Sequence, residues 1–220
     1  MTKQLKMLNK IMDIIMEQDK VEDATQAFDA MLQYVAYKLS YETMIDTPWL
    51  RQDVMTRLDA ELDLDLLRED MWDWFGEVYE QRVGKSDTLI SRDKVTQYVD
   101  LHYAVTLYDN TETLLDPYCG TGRLILAVAK KVNDPKALIY YGAEPDLLAY
   151  RIALLNARLY GLQVRIINLN SNRYDVRSQS PNWKFSNQWF PVANKKFFTV
   201  DEVEKMNVQP MKEPPSVYYA

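Results

Sequence analysis

Cysteine and histidine are nearly absent from the sequence, which contains one of each among 220 residues. The single cysteine, Cys119, excludes an intramolecular disulfide, and zinc clusters of the CxxC type are excluded because they need several thiolates. We therefore predict no metal site and an intracellular setting. The one histidine, His102, falls on the apolar face of a helical pattern, and no serine or cysteine motif accompanies it. A core histidine is favoured over a catalytic base.

Long apolar runs are also missing from the sequence. No run reaches the ~20 residues that a membrane-spanning helix needs. The first residues read MTKQLKMLNKIMDIIMEQDK, with charges every few positions, so they lack the apolar core of a signal peptide. We expect a cytoplasmic protein that does not contact a membrane.

A basic surface is the third feature that the composition does not supply. The formal net charge is −6 and the isoelectric point is about 5.0. General affinity for nucleic acid usually requires a basic face, so composition gives no support for unaided DNA binding. The later part of the chain contains several cations, and we interpret them as scattered surface charge in preference to a local basic cluster. They are Arg158, Arg165, Arg173, Arg177, Lys184, Lys195 and Lys196.

The spacing of the apolar residues predicts an all-helical region over residues 1–85. Hydrophobic residues make up 47% of the chain and charged residues 26%, which is ordinary for one or two globular domains. Apolar residues recur at the 0, 3, 4, 7 spacing of an amphipathic helix in three sets. These sets are Leu8, Ile11, Met12 and Ile15; Phe28, Met31, Leu32 and Val35; and Met71, Trp74, Phe75 and Val78.

Strands and helices alternate over residues 86–170. A helix capped by Ser91 precedes the strand ETLLDP, which is followed by a glycine-containing turn and a further helix. The strand ALIYYGAEP, a helix from about Asp146 to Tyr160 closed by Gly161, and the strand LQVRIINL come next. This order predicts an α/β fold with half of a doubly wound, Rossmann-like parallel sheet. Residues 171–220 read as an irregular tail.

The turn DPYCGTG carries the strongest signal of a ligand site. Gly120 and Gly122 allow the main chain to approach a ligand closely, and Asp116 ends the first predicted strand. Glu144 ends the second strand, 22 residues after Gly122, close to the spacing of about 20 at which an acid binds a ribose in such folds. The alternative is a sheet whose glycines serve only tight turns.

The sequence resembles a known family in this region. The stretches LLDPYCGTGRLILAVA and YYGAEPDLLAYRIALLNARLYGL are similar to the S-adenosylmethionine-binding half of class I methyltransferases. More narrowly, they resemble adenine-N6 DNA methyltransferases, as in the modification subunits of type I restriction systems and their phage or mobile-element relatives. The segment MWDWFGEVYEQRVGKSDTLISRDKV resembles that family's pattern of D-hydrophobic-G-x-hydrophobic-Y followed by G-Q-F-F-T-P. The likeness covers residues 65–170 and implies the cytoplasm of a bacterial or phage-infected cell.

The resemblance implies a role for each matching residue, with S-adenosylmethionine as the cofactor. Glu144 would bind the ribose, Pro145 would lie against the adenine, and Ser91 would lie near the cofactor carboxylate. The methionine part would be surrounded by Asp116, Pro117, Cys119, Gly120 and Gly122. A reactive thiol at Cys119 is the competing hypothesis to a small packing group. The chain departs from the family pattern at Arg92, which replaces a proline, and at Arg123, which replaces the second glycine of DPxCGTGG.

The catalytic motif of the family is the largest departure. That motif, Asn/Asp-Pro-Pro-Tyr/Phe, accepts hydrogen bonds from the target amino group and stacks on the flipped base. Its candidate counterpart here is the stretch SPNW, formed by Ser180, Pro181, Asn182 and Trp183. Two hypotheses follow: a DNA adenine methyltransferase that reaches DNA with a partner subunit, or an inactive methyltransferase-fold binding or regulatory subunit. RNA methylation is a third.

The resemblance also predicts a protein partner or a homo-oligomer. Strands four to seven of the usual seven-stranded sheet are not visible in the sequence. A sheet that ended at its first strand would expose an apolar edge, which the aromatic tail or a partner chain would cover.

Overall fold

The computed structural model describes residues 1–39, 50–84, 89–102, 113–116, 118–170 and 175–176. Six helices come first: α1 (Lys3–Met16), α2 (Ala24–Lys38), α3 (Gln52–Glu61), α4 (Leu64–Arg68), α5 (Trp74–Arg82) and α6 (Arg92–His102). They are followed by β1 (Thr113–Asp116), α7 (Arg123–Ala129), β2 (Ile139–Ala143), α8 (Leu147–Tyr160), β3 (Gln163–Ile167), β4 (Leu169–Asn170) and β5 (Asp175–Val176). None of the helices in these ranges is long and apolar enough to cross a membrane.

The N-terminal helices bury the predicted apolar faces, and all of them except α3 begin at a side-chain cap. Asp23 caps α2 by accepting the Gln26 N–H at 2.8 Å, and Asp73 caps α5 by accepting the Gly76 N–H at 2.8 Å. All three apolar sets are buried except Met71, which is partly buried. The prediction that Met71 belongs to the same helix as Trp74 is wrong, because α5 begins after the cap at Asp73. The predicted helical region is therefore confirmed for the residues described.

The three central strands form the predicted parallel sheet. Their order is β1-β2-β3, with Leu114 beside Tyr140 and Tyr140 beside Val164. Helices α7 and α8 provide the two crossovers, and Gly161 ends α8 with a φ of +69°. Asp116 and Glu144 consequently lie at the same, carboxyl edge of the sheet. Whether the sheet continues into the complete doubly wound fold stays a prediction.

A short antiparallel pair was not predicted from the sequence. Strand β4 pairs with β5, which places Leu169 opposite Val176. Each strand has two residues, too few for alternation to be visible in a sequence, and a pairing of this kind depends on the approach of the two segments.

The helices and the sheet share one contiguous hydrophobic core. Polar contacts also join them: for example, Arg151 on α8 donates to Asp29 on α2, and the Tyr160 hydroxyl donates to the Trp72 carbonyl at 2.7 Å. The buried positions of Trp72, Trp74 and Phe75 agree with a packing role for the aromatic residues. The division of the chain at residues 85 and 170 stays a prediction.

Candidate functional site

The glycine turn, residues 118–122, connects β1 to α7 in a conformation that depends on its two glycines. Gly120 has a φ of +52° and Gly122 a φ of +87°, both in the left-handed region that side chains with a Cβ rarely adopt. The Gly122 N–H donates to the Cys119 carbonyl at 2.7 Å, and the Cys119 N–H donates to the Ala143 carbonyl at 3.1 Å. The second bond joins the turn to the end of β2.

Glu144 is bonded directly to this turn. Its Oε2 atom accepts the Gly120 N–H at 2.9 Å, and its Oε1 atom accepts the Asp146 N–H at 2.8 Å. The Asn168 amide holds the same loop by donating to the Glu144 carbonyl at 2.7 Å and to the Pro145 carbonyl at 3.2 Å. The structure thus brings together the two carboxylates and the glycines on which the sequence-based hypothesis depends.

Both carboxylates are buried, and burial changes their acidity. Asp116 is 2% exposed, and burial raises its pKa to about 6 although the Tyr118 N–H, at 3.2 Å, favours the charged form. Glu144 is 9% exposed, and burial raises its pKa to about 7, opposed by the Asp146 N–H. Buried carboxylates with unused acceptor capacity suit a ligand that carries hydroxyl or ammonium donors.

Cys119 is a packing residue of the glycine turn. Its side chain is buried, and burial together with the charges of Asp116 and Glu144 raises the pKa of the thiol well above its usual value. A Cβ on Gly142 of β2 would lie 2.9 Å from the Cys119 Sγ, so Gly142 provides the space that the thiol fills. A buried, protonated thiol is a poor nucleophile, which favours the packing interpretation.

Asp73 supports the glycine turn from the side of the helical region. It is completely buried, and its Oδ2 atom accepts the Thr121 hydroxyl at 2.5 Å and the Arg123 Nε–H at 2.9 Å. Its Oδ1 atom accepts the Asn156 amide at 2.7 Å, and that amide also donates to the Thr121 carbonyl at 3.0 Å. Sequence analysis missed this support, which we call the Asp73 network: Asp73, Thr121, Arg123 and Asn156.

The two departures from the family pattern each have a structural role. Arg123 is buried and directs its guanidinium toward three acidic residues, Asp73, Glu77 and Glu80, of which Glu80 accepts from Nη2 at 2.9 Å. Arg92 donates to Asp70, and its guanidinium carbon lies 4.7 Å from the centre of the Trp72 ring. Neither arginine adds an unpaired charge to the site.

The segment before α6 lies against the glycine turn. The Ile90 carbonyl accepts from Arg123 Nη1 at 2.8 Å, and a Cβ on Gly120 would lie 3.6 Å from a methyl group of Leu89. Ser91 caps α6 as predicted, with its Oγ accepting the Lys94 N–H at 3.4 Å. Its proximity to the cofactor carboxylate stays a prediction. Pro117, the side chain of His102 and the candidate catalytic residues Ser180, Pro181, Asn182 and Trp183 lie outside the described residues.

Buried polar residues concentrate around the glycine turn. Among the described residues eight polar side chains are buried: Gln4, Asp73, Asp116, Thr121, Arg123, Glu144, Asn156 and Asn168. All except Gln4 belong to the end of β1, the turn, its facing loop or the Asp73 network. Burial of polar groups is costly, so their concentration at one place marks a candidate functional site.

The opposite edge of the sheet holds a separate cavity of about 510 Å³. Four cations line it, Lys38, Arg68, Lys136 and Arg158, together with apolar side chains. Lys136 and Arg158 precede β2 and β3, so this cavity lies beyond the amino ends of the strands and is not the site of the two carboxylates. No group of metal-ligating side chains occurs within the ranges that the structure describes.

Comparison with known proteins identifies the family. A family model described as N-6 DNA Methylase matches residues 71–213. The methylase subunit of the type I restriction enzyme MpnII from Mycoplasma pneumoniae is 26% identical over 141 residues, which cover 60% of this chain and 26% of that protein. The chain therefore spans about a quarter of the length of this curated relative.

One solved structure agrees with this assignment at the level of the fold. A Listeria monocytogenes protein assigned to the class I S-adenosylmethionine-dependent methyltransferases has a TM-score of 0.54 at 15% identity, covering 74% of this chain and 51% of that one. A type I restriction-modification methyltransferase subunit from Streptococcus thermophilus has a TM-score of 0.42 at 16% identity, with 81% and 60% covered. Because the family model matches more than half of the chain and includes the glycine turn, the chain belongs to the N-6 DNA methylase family.

Proposed function

We propose that the chain binds S-adenosylmethionine at the glycine turn and takes part in methyl transfer to the N6 atom of adenine in DNA. The observation that carries the proposal is the convergence of two buried carboxylates on one turn. The Gly120 N–H donates to Glu144 at 2.9 Å, and Asp116 ends the neighbouring strand. The family uses S-adenosylmethionine as its methyl donor, and its sulfonium group supplies an activated methyl when the cofactor is bound.

The donor and acceptor groups of the site suit this cofactor. Each oxygen of Glu144 accepts one backbone N–H and keeps acceptor capacity for a ribose hydroxyl. Asp116 accepts the Tyr118 N–H, and among the described residues its carboxylate keeps acceptor capacity that suits the ammonium group of the methionine part. Pro145 offers an apolar surface for the adenine.

Methyl transfer to an exocyclic amino group needs further residues. The nitrogen lone pair is delocalised into the base, so acceptors near the amino group are required to make it a better nucleophile. In this chain the residues proposed for that role are Ser180, Pro181, Asn182 and Trp183. Because the chain has a formal net charge of −6, we propose that it reaches DNA together with a partner subunit or as a homo-oligomer.

A second candidate function is supported by one specific observation. The candidate counterpart of the family's Asn-Pro-Pro-Tyr motif is the stretch SPNW, in which the amide and aromatic groups do not have the order of that motif. The alternative is a methyltransferase-fold binding or regulatory subunit that keeps the cofactor site and does not transfer the methyl group.

Cofactor binding is tested by calorimetric titration of the full chain with S-adenosylmethionine. The wild-type chain is expected to bind, and Asp116→Asn to lose binding because a neutral amide cannot pair with the ammonium group. Asp65→Asn is the matched control, since Asp65 is exposed and pairs only with Arg68 among the described residues. A wild-type chain that binds no cofactor would overturn the proposal.

Methyl transfer is tested with cofactor carrying a labelled methyl group and genomic DNA, using the chain alone and with a candidate partner subunit. Incorporation that is lost in Asn182→Ala would support the active enzyme. Absence of incorporation under both conditions, with cofactor binding intact, would support the binding or regulatory subunit.

A further inference from the structure

Both carboxylate oxygens of Asp73 accept hydrogen bonds, and these bonds connect three parts of the molecule. Besides the Gly76 N–H of its own helix, it accepts from Asn156 on α8 and from Thr121 and Arg123 at the glycine turn. With four donors on two oxygens, its acceptor capacity is filled. Rotation of any one partner therefore breaks a buried, charge-assisted hydrogen bond.

Arg123 extends these contacts to the segment before α6. Its Nε donates to Asp73 at 2.9 Å and its Nη2 to Glu80 at 2.9 Å, while Nη1 donates to the Ile90 carbonyl at 2.8 Å. The side chain is 5% exposed. The planar guanidinium presents its donors in a fixed arrangement, so it also fixes the distances between the groups that it joins.

We propose that Asp73, Thr121 and Arg123 are positioning residues that hold the glycine turn in the conformation required by the methionine part of the cofactor. This proposal rests on the proposed function. The turn itself has positive φ values at both glycines, and glycine-containing backbone is costly to order. Hydrogen bonds that Thr121 and Arg123 donate to a rigid, buried carboxylate order the turn before a ligand arrives, which is how preorganisation improves affinity.

Stability alone is a poor explanation for this arrangement. A buried ion pair pays a desolvation cost that often exceeds its Coulombic gain, and apolar residues of similar volume stabilise a core equally well. The Asp73 network instead places its bonds on the residues that flank Gly122 in sequence. Thr121 and Arg123 are adjacent to that glycine, so their side chains fix its backbone on both sides.

The test compares two substitutions at Thr121. Thr121→Val keeps the shape of the side chain and removes the hydroxyl that donates to Asp73, whereas Thr121→Ser keeps the hydroxyl. Thr56→Val is the matched control, because the Thr56 hydroxyl donates to the Gln52 carbonyl on the exposed face of α3. Each protein is titrated with S-adenosylmethionine and with 5′-methylthioadenosine, which lacks the amino-acid part of the cofactor.

Thr121→Val is expected to weaken S-adenosylmethionine binding by ~10- to 100-fold, the range for loss of a hydrogen bond to a charged group. Its affinity for 5′-methylthioadenosine is expected to change by less than ~3-fold, because that ligand relies on Glu144 and Pro145. Thr121→Ser and Thr56→Val should bind both ligands like the wild type. Hydrogen exchange should become faster at residues 118–122 of Thr121→Val and remain unchanged in α1.

Three results would overturn the proposal in distinguishable ways. Equal weakening of both ligands by Thr121→Val would indicate a general loss of structure. Unchanged affinity and unchanged hydrogen exchange would show that the bond to Asp73 does not hold the turn. A wild-type chain that binds neither ligand would overturn the proposed function itself, and this result is seen before any substitution is compared.

Discussion

Asp116 is a residue of the candidate site that lowers the stability of the folded protein at neutral pH. Its folded pKa of about 6 lies above the ordinary value of 3.8 because burial disfavours the charged form. Between pH ~4 and ~6 the folded protein therefore binds more protons than the unfolded chain, so this group makes stability fall as pH rises through that window. At neutral pH the ionised carboxylate is a cost that a cationic ligand would offset.

Asp116→Asn is expected to raise the free energy of unfolding of the ligand-free protein at pH 7.5 by ~2–3 kcal/mol, from a pKa shift of about two units. The gain should shrink as pH falls toward 4, because the folded protein then carries a protonated, uncharged Asp116 and no longer bears the cost of a buried charge. Urea denaturation at pH 7.5, 6 and 4 measures this, with Asp65→Asn as control. A loss of stability at pH 7.5 would contradict the expected cost of the buried charge.

The affinity for S-adenosylmethionine is expected to depend on pH through the same residues. Burial raises the pKa of Asp116 to about 6 and that of Glu144 to about 7, so both are ionised at pH 8 and protonated at pH 5.5. Below each pKa the affinity should fall by up to ~10-fold per pH unit for each proton that must leave. Calorimetry from pH 8 to 5.5 tests this, and Glu144→Gln should remove the step near pH 7. An affinity independent of pH would argue against direct contact with the two acids.

The N-terminus of α5 is linked to the glycine turn through the Asp73 carboxylate. A Cβ on Gly76 would lie 1.8 Å from an Asp73 carboxylate oxygen, so this helix position must be glycine for Asp73 to cap the helix. The same carboxylate contacts the turn more than forty residues away. A local sequence choice in one helix is therefore coupled to the conformation of another element.

Gly76→Ala is expected to lower the free energy of unfolding by ~2 kcal/mol or more, because it displaces a cap and a buried ion pair. It should also weaken cofactor binding. Gly84→Ala is the matched control: its φ of +80° predicts strain of ~1 kcal/mol, and no atom lies within 4 Å of the added Cβ. Thermal unfolding and calorimetry of both variants measure the difference. If Gly76→Ala and Gly84→Ala changed cofactor affinity equally, the start of α5 would have no specific effect on the glycine turn.

At the scale of the whole molecule, charge limits what the chain binds by itself. With a formal net charge of −6, repulsion from the phosphate backbone opposes association with DNA. The cationic cavity at the amino ends of the strands is local, and two of its cations, Lys38 and Arg68, form ion pairs with Asp59 and Asp65. A proposed role in DNA methylation therefore includes a partner that supplies basic surface.

We expect the chain alone to bind a duplex of about 20 base pairs more weakly than ~10⁻⁴ M at 150 mM salt, the weak limit of ordinary non-specific binding. Fluorescence anisotropy with labelled DNA measures this affinity, and a titration at 50 mM salt serves as the comparison. Saturable micromolar binding at 150 mM salt would show that the chain carries its own DNA-binding surface.

The sequence by itself determined the elements and the primary site. Hydrophobic periodicity predicted the helices, and the glycines with their flanking acids predicted the turn. The spacing from Gly122 to Glu144 predicted an acid facing this turn, and in the structure Glu144 accepts the Gly120 N–H at 2.9 Å. These signals are local, or follow from the rule that parallel strands end at one edge. The same locality explains why the two-residue pair of β4 and β5 was missed.

Only the tertiary structure revealed the Asp73 network that supports this site. Nothing in the local pattern around Asp73 distinguishes an ordinary helix cap from a carboxylate that also binds Thr121, Arg123 and Asn156. In the sequence Arg123 is a departure from a glycine motif, whereas in the fold it is a buried cation with three acidic partners, Asp73, Glu77 and Glu80. The physical reason is that the cost of burying a charge depends on which groups surround it, and those groups come from segments 43 to 83 residues apart.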